Sequence, residues 1–144
     1  MYKIKDNKNT IIEIDYGKIV DKYLIKLDIL SNKSINEVNT LIDTGANCSC
    51  ISKDLVNLLK LSPIDIVTIS TPSSITQVNV YVINIKINGI IIEDVRVCDS
   101  NIGSQGLDLL LGTDIINMGD LMVSNYNNKT ILSLRFPTKS YLKF

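Results

Sequence analysis

The sequence predicts a mostly β fold, largely antiparallel, with one short helix. Three observations carry that expectation. Short runs rich in Ile and Val recur along the chain, separated by clusters of Asn, Asp, Ser and Gly that favour turns. In the clearest run, Asp21 to Leu30, the residues Tyr23, Ile25, Leu27 and Ile29 alternate against Lys22, Lys26 and Asp28, the period of a strand with one buried face. Only the stretch after Ser52 has apolar residues at helical spacing. The 144 residues, 45% hydrophobic and 21% charged, suffice for one hydrophobic core, so residues 1–144 read as a single domain.

Thr10 to Asp15 is the first expected strand and Asp21 to Leu30 the second. Ser31-Asn32-Lys33-Ser34 supplies a turn, and Ile35 to Ile42 returns as a third strand that ends at Asp43. Ser52 suits an N-cap, because its hydroxyl can accept a free N–H of the first turn. Leu55, Val56, Leu58, Leu59 and Leu61 follow until Pro63, where a helix would stop. Strands resume at Ile64 to Ser70, Ile75 to Ile87 and Ile90 to Cys98. Asn88-Gly89 is a strong hairpin signal, since a type I′ turn needs positive φ at both central positions. Within Ile75 to Ile87, Val78, Val80 and Val82 share one face while Ile83, Ile85 and Ile87 share the other. Such a change of face predicts a bulge or bend, with one end projecting over a site and the other in the core. Cys98 to Gly106 is expected as a loop, Leu107 to Leu111 as a short apolar strand ending at Gly112, and Thr113 to Met118 as a brief helical turn. Leu121 to Tyr126 and Lys129 to Phe136, joined through Asn127-Asn128, form a last hairpin before a polar tail.

Composition narrows the chemistry. The chain has no histidine, which removes Ser-His-Asp and Cys-His nucleophilic systems and histidine-dependent zinc sites. Cys48, Cys50 and Cys98 form an odd set without zinc spacing and read as reduced structural thiols facing the core or an interface; no metal or cofactor is expected. Fifteen basic residues balance fifteen acidic ones, so no overall charge draws the protein to nucleic acid or an anionic membrane. MYKIKDNKNT has no apolar signal core, and no apolar run has membrane-spanning length. The expectation is a cytoplasmic protein without nucleic-acid or membrane partners.

The chemistry-bearing segment is Asp43-Thr44-Gly45-Ala46-Asn47-Cys48-Ser49, directly after an apolar strand. A carboxylate at such a junction can be half-buried and still reach a cleft, while glycine permits close backbone approach. Gly45 N–H is placed to bond the carboxylate, and the Thr44 hydroxyl to brace the loop. A second apolar cassette, Leu109-Leu110-Leu111-Gly112-Thr113-Asp114, follows some way on.

These two cassettes, Ser49, the Thr71-Pro72-Ser73-Ser74 loop and the Asn-Gly hairpin together resemble the retropepsin-like aspartic proteases, over residues 38–118. The resemblance implies a closed β-barrel of the acid-protease type, a single lobe, with the short helix after the catalytic loop and the apolar-Gly strand passing beside that loop. It implies Asp43, Thr44 and Gly45 as catalytic residues. Ala46 and Thr71, Pro72, Ser73 and Ser74 become the substrate-binding candidates, the last four at the tip of a flap spanning roughly 67–78. The segment departs from many retroviral members in having no flap glycine, and Thr113 stands where an Arg can follow the Gly.

Amide hydrolysis by two carboxylates needs one ionised to activate water and one protonated to donate to the carbonyl oxygen. Two carboxylates about 3 Å apart retain one proton between them. The chain has one Asp-Thr-Gly and no internal repeat, so the second aspartate must come from another copy across a two-fold axis. A homodimer acting on a peptide or protein substrate follows. The resemblance also suggests that the chain ends, Met1 to Asp15 and Lys129 to Phe144, contribute to the interface. The apolar face Thr130, Leu132, Leu134 and Phe136 would pack on a neighbour or on its own core. Among other carboxylates, Asp114 is expected as a helix cap or first-turn acid, Asp108 and Asp120 as solvated, and Asp99 in a polar loop. The alternative to an aspartic endopeptidase is a non-catalytic module that keeps the fold for dimerisation or peptide binding.

Overall fold

The computed structural model describes residues 3–4 and 10–144. Eight strands form one sheet: β1 (Lys3–Ile4), β3 (Tyr23–Leu30), β4 (Ser34–Ile42), β5 (Cys50–Ser52), β6 (Asp65–Thr71), β7 (Ser74–Ile87), β8 (Ile90–Ser100) and β9 (Leu109–Leu111). Their order is β1-β8-β5-β9-β4-β3-β7-β6, and an additional β7–β8 pairing closes six of them into a barrel. A second sheet, of order β10-β11-β2, joins β2 (Thr10–Asp15), β10 (Asp120–Ser124) and β11 (Ile131–Phe136). Ile29, Ile51, Ile85, Ile92, Val95, Val97 and Leu109 are fully buried in the barrel, and Leu132, Leu134 and Phe136 carry the second sheet onto the same core. The fold is mostly β, with a closed barrel and few helices, as expected.

Pairing is antiparallel except at two places that build the site. β4 runs parallel to β9, with Ile42 opposite Leu111, and β5 runs parallel to β8, with Cys50 opposite Cys98. Three residues of β5 therefore bridge β8 and β9, a strand too short for any periodicity to announce.

The helix α1 (Lys53–Leu59) begins as expected, with Ser52 Oγ accepting Leu55 N–H at 3.2 Å. Its end is set before Pro63: Lys60 takes the left-handed conformation, and Leu61 N–H bonds Val56 O at 3.1 Å. Leu55, Val56 and Leu59 are its buried face. Asn88 and Gly89 both have positive φ and close the β7–β8 hairpin between Ile87 and Ile90. β7 changes its buried face as expected: residues 74–77 are exposed, whereas Val80, Tyr81, Ile83, Ile85 and Ile87 are buried. The register with β8 slips between Ile83 and Ile85, where Asp94 adopts positive φ and its N–H bonds Asn84 Oδ1 at 2.9 Å.

Several expectations need correction. β8 continues through Ser100, so Asp99 lies in a strand, and a 3₁₀ turn (Asn101–Gln105) replaces the expected loop. β9 is shorter than expected because Leu107 and Asp108 leave the ladder to tie onto neighbours: Asp108 N–H bonds Asn39 O, its Oδ2 accepts Asn39 N–H, and its carbonyl accepts Ser52 N–H. Asp120 is not solvated, since Arg135 Nε donates to its Oδ2 at 2.7 Å in a largely covered pair. β11 is the middle strand of its sheet, held between β10 and β2 of the same chain, and its apolar face packs inward on its own core. Both its edges are occupied within this chain. Of the N-terminal segment expected to join an interface, residues 1–2 and 5–9 lie outside the described residues.

Candidate active site

Asp43 stands where β4 leaves the ladder, half-buried, and its backbone N–H extends the parallel pairing by bonding Leu111 O at 2.9 Å. Its Oδ1 accepts Gly45 N–H at 2.8 Å, the bond expected from the sequence, and its carbonyl accepts Ala46 N–H at 3.3 Å. Both contacts fold residues 43–46 into a tight turn that fixes the carboxylate's direction. Thr44 and Gly45 at its apex are exposed. Among the described residues the Thr44 hydroxyl makes no hydrogen bond, so the bracing expected of it is not found among them.

The second cassette interlocks with the first. Thr113 N–H and Oγ1 both donate to Ala46 O, at 2.8 and 3.3 Å. A Cβ on Gly112 would lie 2.6 Å from the same carbonyl oxygen, so only glycine lets the two backbones approach this closely. α2 (Thr113–Ile116) starts here with Asp114 in its first turn, as expected. Asp114 does more than face a helix end. Its Oδ1 accepts the Ser49 hydroxyl at 2.7 Å and its Oδ2 accepts Ser49 N–H at 3.1 Å, while fully buried Ser49 Oγ accepts Gly112 N–H at 3.1 Å. Ser49 and Asp114 thus lock the segment after Asp43 to the turn after β9. Neither role follows from composition; the signal was the Ser and the Asp each falling within a cassette.

Thr71, Pro72, Ser73 and Ser74 form the exposed tip of the β6–β7 hairpin, with Thr71 opposite Ser74 across the two-residue turn. Thr71 Oγ1 accepts Ser74 N–H at 3.1 Å and donates to Ser74 O at 3.2 Å, a side-chain closure that needs no glycine. The structure brings Ala46 to the Asp43 turn, whereas the hydrogen bonds of residues 71–74 stay within the hairpin tip. A groove of about 730 Å³ runs between β2, β3 and residues 105–107 and does not include Asp43.

The cysteines meet in a way no spacing announced. Cys98 is buried and Cys48 and Cys50 partly so, and the Sγ atoms of Cys48 and Cys98 are 3.1 Å apart. Among the described residues no group of His, Cys, Asp and Glu is arranged to hold a metal, and no helix is long and apolar enough to cross a membrane.

The barrel and the interlocked cassettes define a retropepsin-like aspartic protease fold. The crystal structure of a retropepsin-like aspartic protease from Rickettsia conorii superposes with a TM-score of 0.57 at 16% identity, covering 94% of this chain and 99% of that one. The solution structure of Simian Foamy Virus (mac) protease gives 0.51 at 20% identity, covering 66% of this chain and 92% of that one. No curated protein matches the sequence. The family model described as "gag-polyprotein putative aspartyl protease" matches residues 31–118, more than half of the sequence, and the chain belongs to that family.

Proposed function

We propose that the protein is a homodimeric aspartic endopeptidase in which Asp43 of each subunit supplies half of the catalytic pair. The observation that carries this reading is the Asp43 turn: a half-buried carboxylate oriented by Gly45 N–H, on an exposed apex held by Thr113 and the Ser49–Asp114 lock. One chain offers one such carboxylate, and the chemistry needs two. In the proposed dimer the apices meet at a two-fold axis, and the Asp43 pair shares one proton. The ionised member takes a proton from water as it attacks the scissile carbonyl, and the protonated member donates to the carbonyl oxygen. Gly45 N–H holds one carboxylate oxygen and leaves the other toward substrate.

The β6–β7 hairpin acts as the flap in this reading. A peptide in a two-fold cleft is bound most simply as a strand, through main-chain hydrogen bonds. Ser73 N–H is the candidate donor, because Pro72 has none and Ser74 N–H is already bonded to Thr71. Residues 1–144 read as one protease domain that supplies half of the catalytic pair, and three free cysteines suit a reducing cytoplasm.

The test is Asp43→Asn, assayed on a denatured protein mixture over a dilution series with sedimentation in parallel. Cleavage falls by roughly 10²–10⁴-fold or more while the dimer persists, and parent activity per subunit falls on dilution. Retained turnover in Asp43→Asn discards the assignment of Asp43, and an absence of cleavage by the parent protein leaves the fold to a binding role.

A further inference from the structure

The proposed aspartate chemistry has no use for the three cysteines, yet two of them are nearly in bonding position. Cys48 and Cys98 are fifty residues apart in sequence, and their sulfurs lie 3.1 Å from each other. Closing that gap to the disulfide length of ~2.05 Å takes about 1 Å of side-chain movement. The backbone on both sides is pinned. Cys98 N–H bonds Ser49 O at 3.0 Å, and Ser49 is itself tied to Asp114 and Gly112. The third thiol, Cys50, sits opposite Cys98 in the β5–β8 register, with its Sγ 3.8 Å from Cys48 O. We propose that Cys48 and Cys98 form a reversible disulfide, an oxidation site that fastens the segment following Asp43 to β8.

The local electrostatics assign the roles. A hydrogen bond with Cys50, and a weaker one with Cys98, hold the Cys48 thiol low, to about 6, against burial and the Asp114 carboxylate. Cys50 is pushed up chiefly by its hydrogen bond with Cys48. Cys98 is pushed up to about 12, by burial first, then by Cys48, Asp99 and Asp114. The thiolate at neutral pH therefore sits on Cys48, the partly exposed member of the pair. With hydrogen peroxide as oxidant, Cys48 sulfur attacks one peroxide oxygen and the O–O bond breaks. The departing hydroxide takes a proton and leaves as water, giving a Cys48 sulfenic acid. Cys98 sulfur then attacks Cys48 Sγ, the sulfenic hydroxyl departs with the Cys98 proton as a second water, and the S–S bond forms. Two thiols lose two electrons and one peroxide gains them, and Cys50 remains a thiol.

The experiment treats the full-length wild-type protein with stoichiometric hydrogen peroxide, then denatures and alkylates it. Free thiols are expected to fall from three to one, the intact mass taken before alkylation to drop by two hydrogens, and a digest to contain a peptide pair linked through Cys48 and Cys98. Dithiothreitol reverses all three changes. Cys50→Ser retains the linkage, and Cys98→Ser abolishes it. A Cys48–Cys50 linkage, a linkage between chains, or Cys48 carried to sulfinic acid with Cys98 still reduced would overturn the proposal. The readout is mass on the wild-type protein, so it stands apart from proteolytic activity and from the folding of any variant.

Discussion

A methyl group added at Gly112 would lie 2.6 Å from the Ala46 carbonyl oxygen and 3.1 Å from both the Ala46 carbonyl carbon and the Cys48 nitrogen. The backbone at Gly112, φ −92° and ψ −170°, suits any residue, so crowding alone sets the cost of Gly112→Ala. All three neighbours are backbone atoms and cannot swing aside. Separating the segments stretches the 2.8 Å bond from Thr113 to Ala46 O and the 3.1 Å bond from Gly112 to Ser49 Oγ. Overpacking costs about 1–3 kcal/mol, and weakening the two bonds adds roughly 1 kcal/mol. The expected destabilisation is therefore about 2–4 kcal/mol, a urea midpoint lowered by roughly 1–2 M. Ala46 carries the strain toward Asp43, and a displacement of about 1 Å there lowers cleavage by roughly 10²-fold. Gly103→Ala is the control, because its methyl is crowded only by the movable carboxylate of Asp54, at 3.1 Å, and meets Ser52 Cβ at an ordinary 3.7 Å. Urea unfolding and peptide cleavage measured on both variants decide the matter. Coincident midpoints for Gly112→Ala and Gly103→Ala would refute the interlock.

Ser49→Ala removes the hydroxyl that bridges Asp114 and Gly112 and leaves a buried N–H without its acceptor; a loss of about 1–3 kcal/mol is expected in chemical denaturation, and an unchanged midpoint counts against the lock. Iodoacetamide should label Cys48 before Cys98, at a rate that rises as pH passes upward through about 6 because deprotonation creates the nucleophile. A midpoint near the free-cysteine value of about 8.5 would show that the neighbouring thiols do not hold it low. Phe136→Ala empties a buried position beneath Gly119 and should cost roughly 3–5 kcal/mol in thermal or urea unfolding. Truncation after Asn128 for the same reason abolishes cooperative folding, and a folded but monomeric product would restore β11 to an interface role.

What was legible in the sequence was local chemistry. Ser52 needed only its own hydroxyl to cap α1, Asn88-Gly89 only its tolerance of positive φ, and Asp43-Thr44-Gly45 only the apolar strand before it. What was not legible depended on a neighbour far away in sequence. β5 is a strand because β8 and β9 flank it, and nothing within Cys50–Ser52 says so. The alternation in β11 showed an apolar face without saying what covers it; Leu132, Leu134 and Phe136 pack into the core of the same chain. Asp120 was within reach, since carrying the hairpin register back from Asn127-Asn128 places it opposite Arg135. The helix end at Lys60 was not, because Lys has no special affinity for the left-handed conformation that stops α1.

The parts that hold the Asp43 turn come from far along the chain: Asp114 lies sixty-five residues after its partner Ser49, and Thr113 sixty-seven after its partner Ala46. A chain emerging from the ribosome in order therefore displays residues 43–46 long before it owns the acceptor at Leu111 or the donors at Thr113 that shape them. Closing a loop of that length is slow compared with forming the hairpins on either side. Synthesis thus imposes a sequence of events in which the hairpins come first and the aspartate turn is among the last features to acquire its geometry. The growing polypeptide carries the Asp43 loop without this geometry until Leu111 and Thr113 have been made.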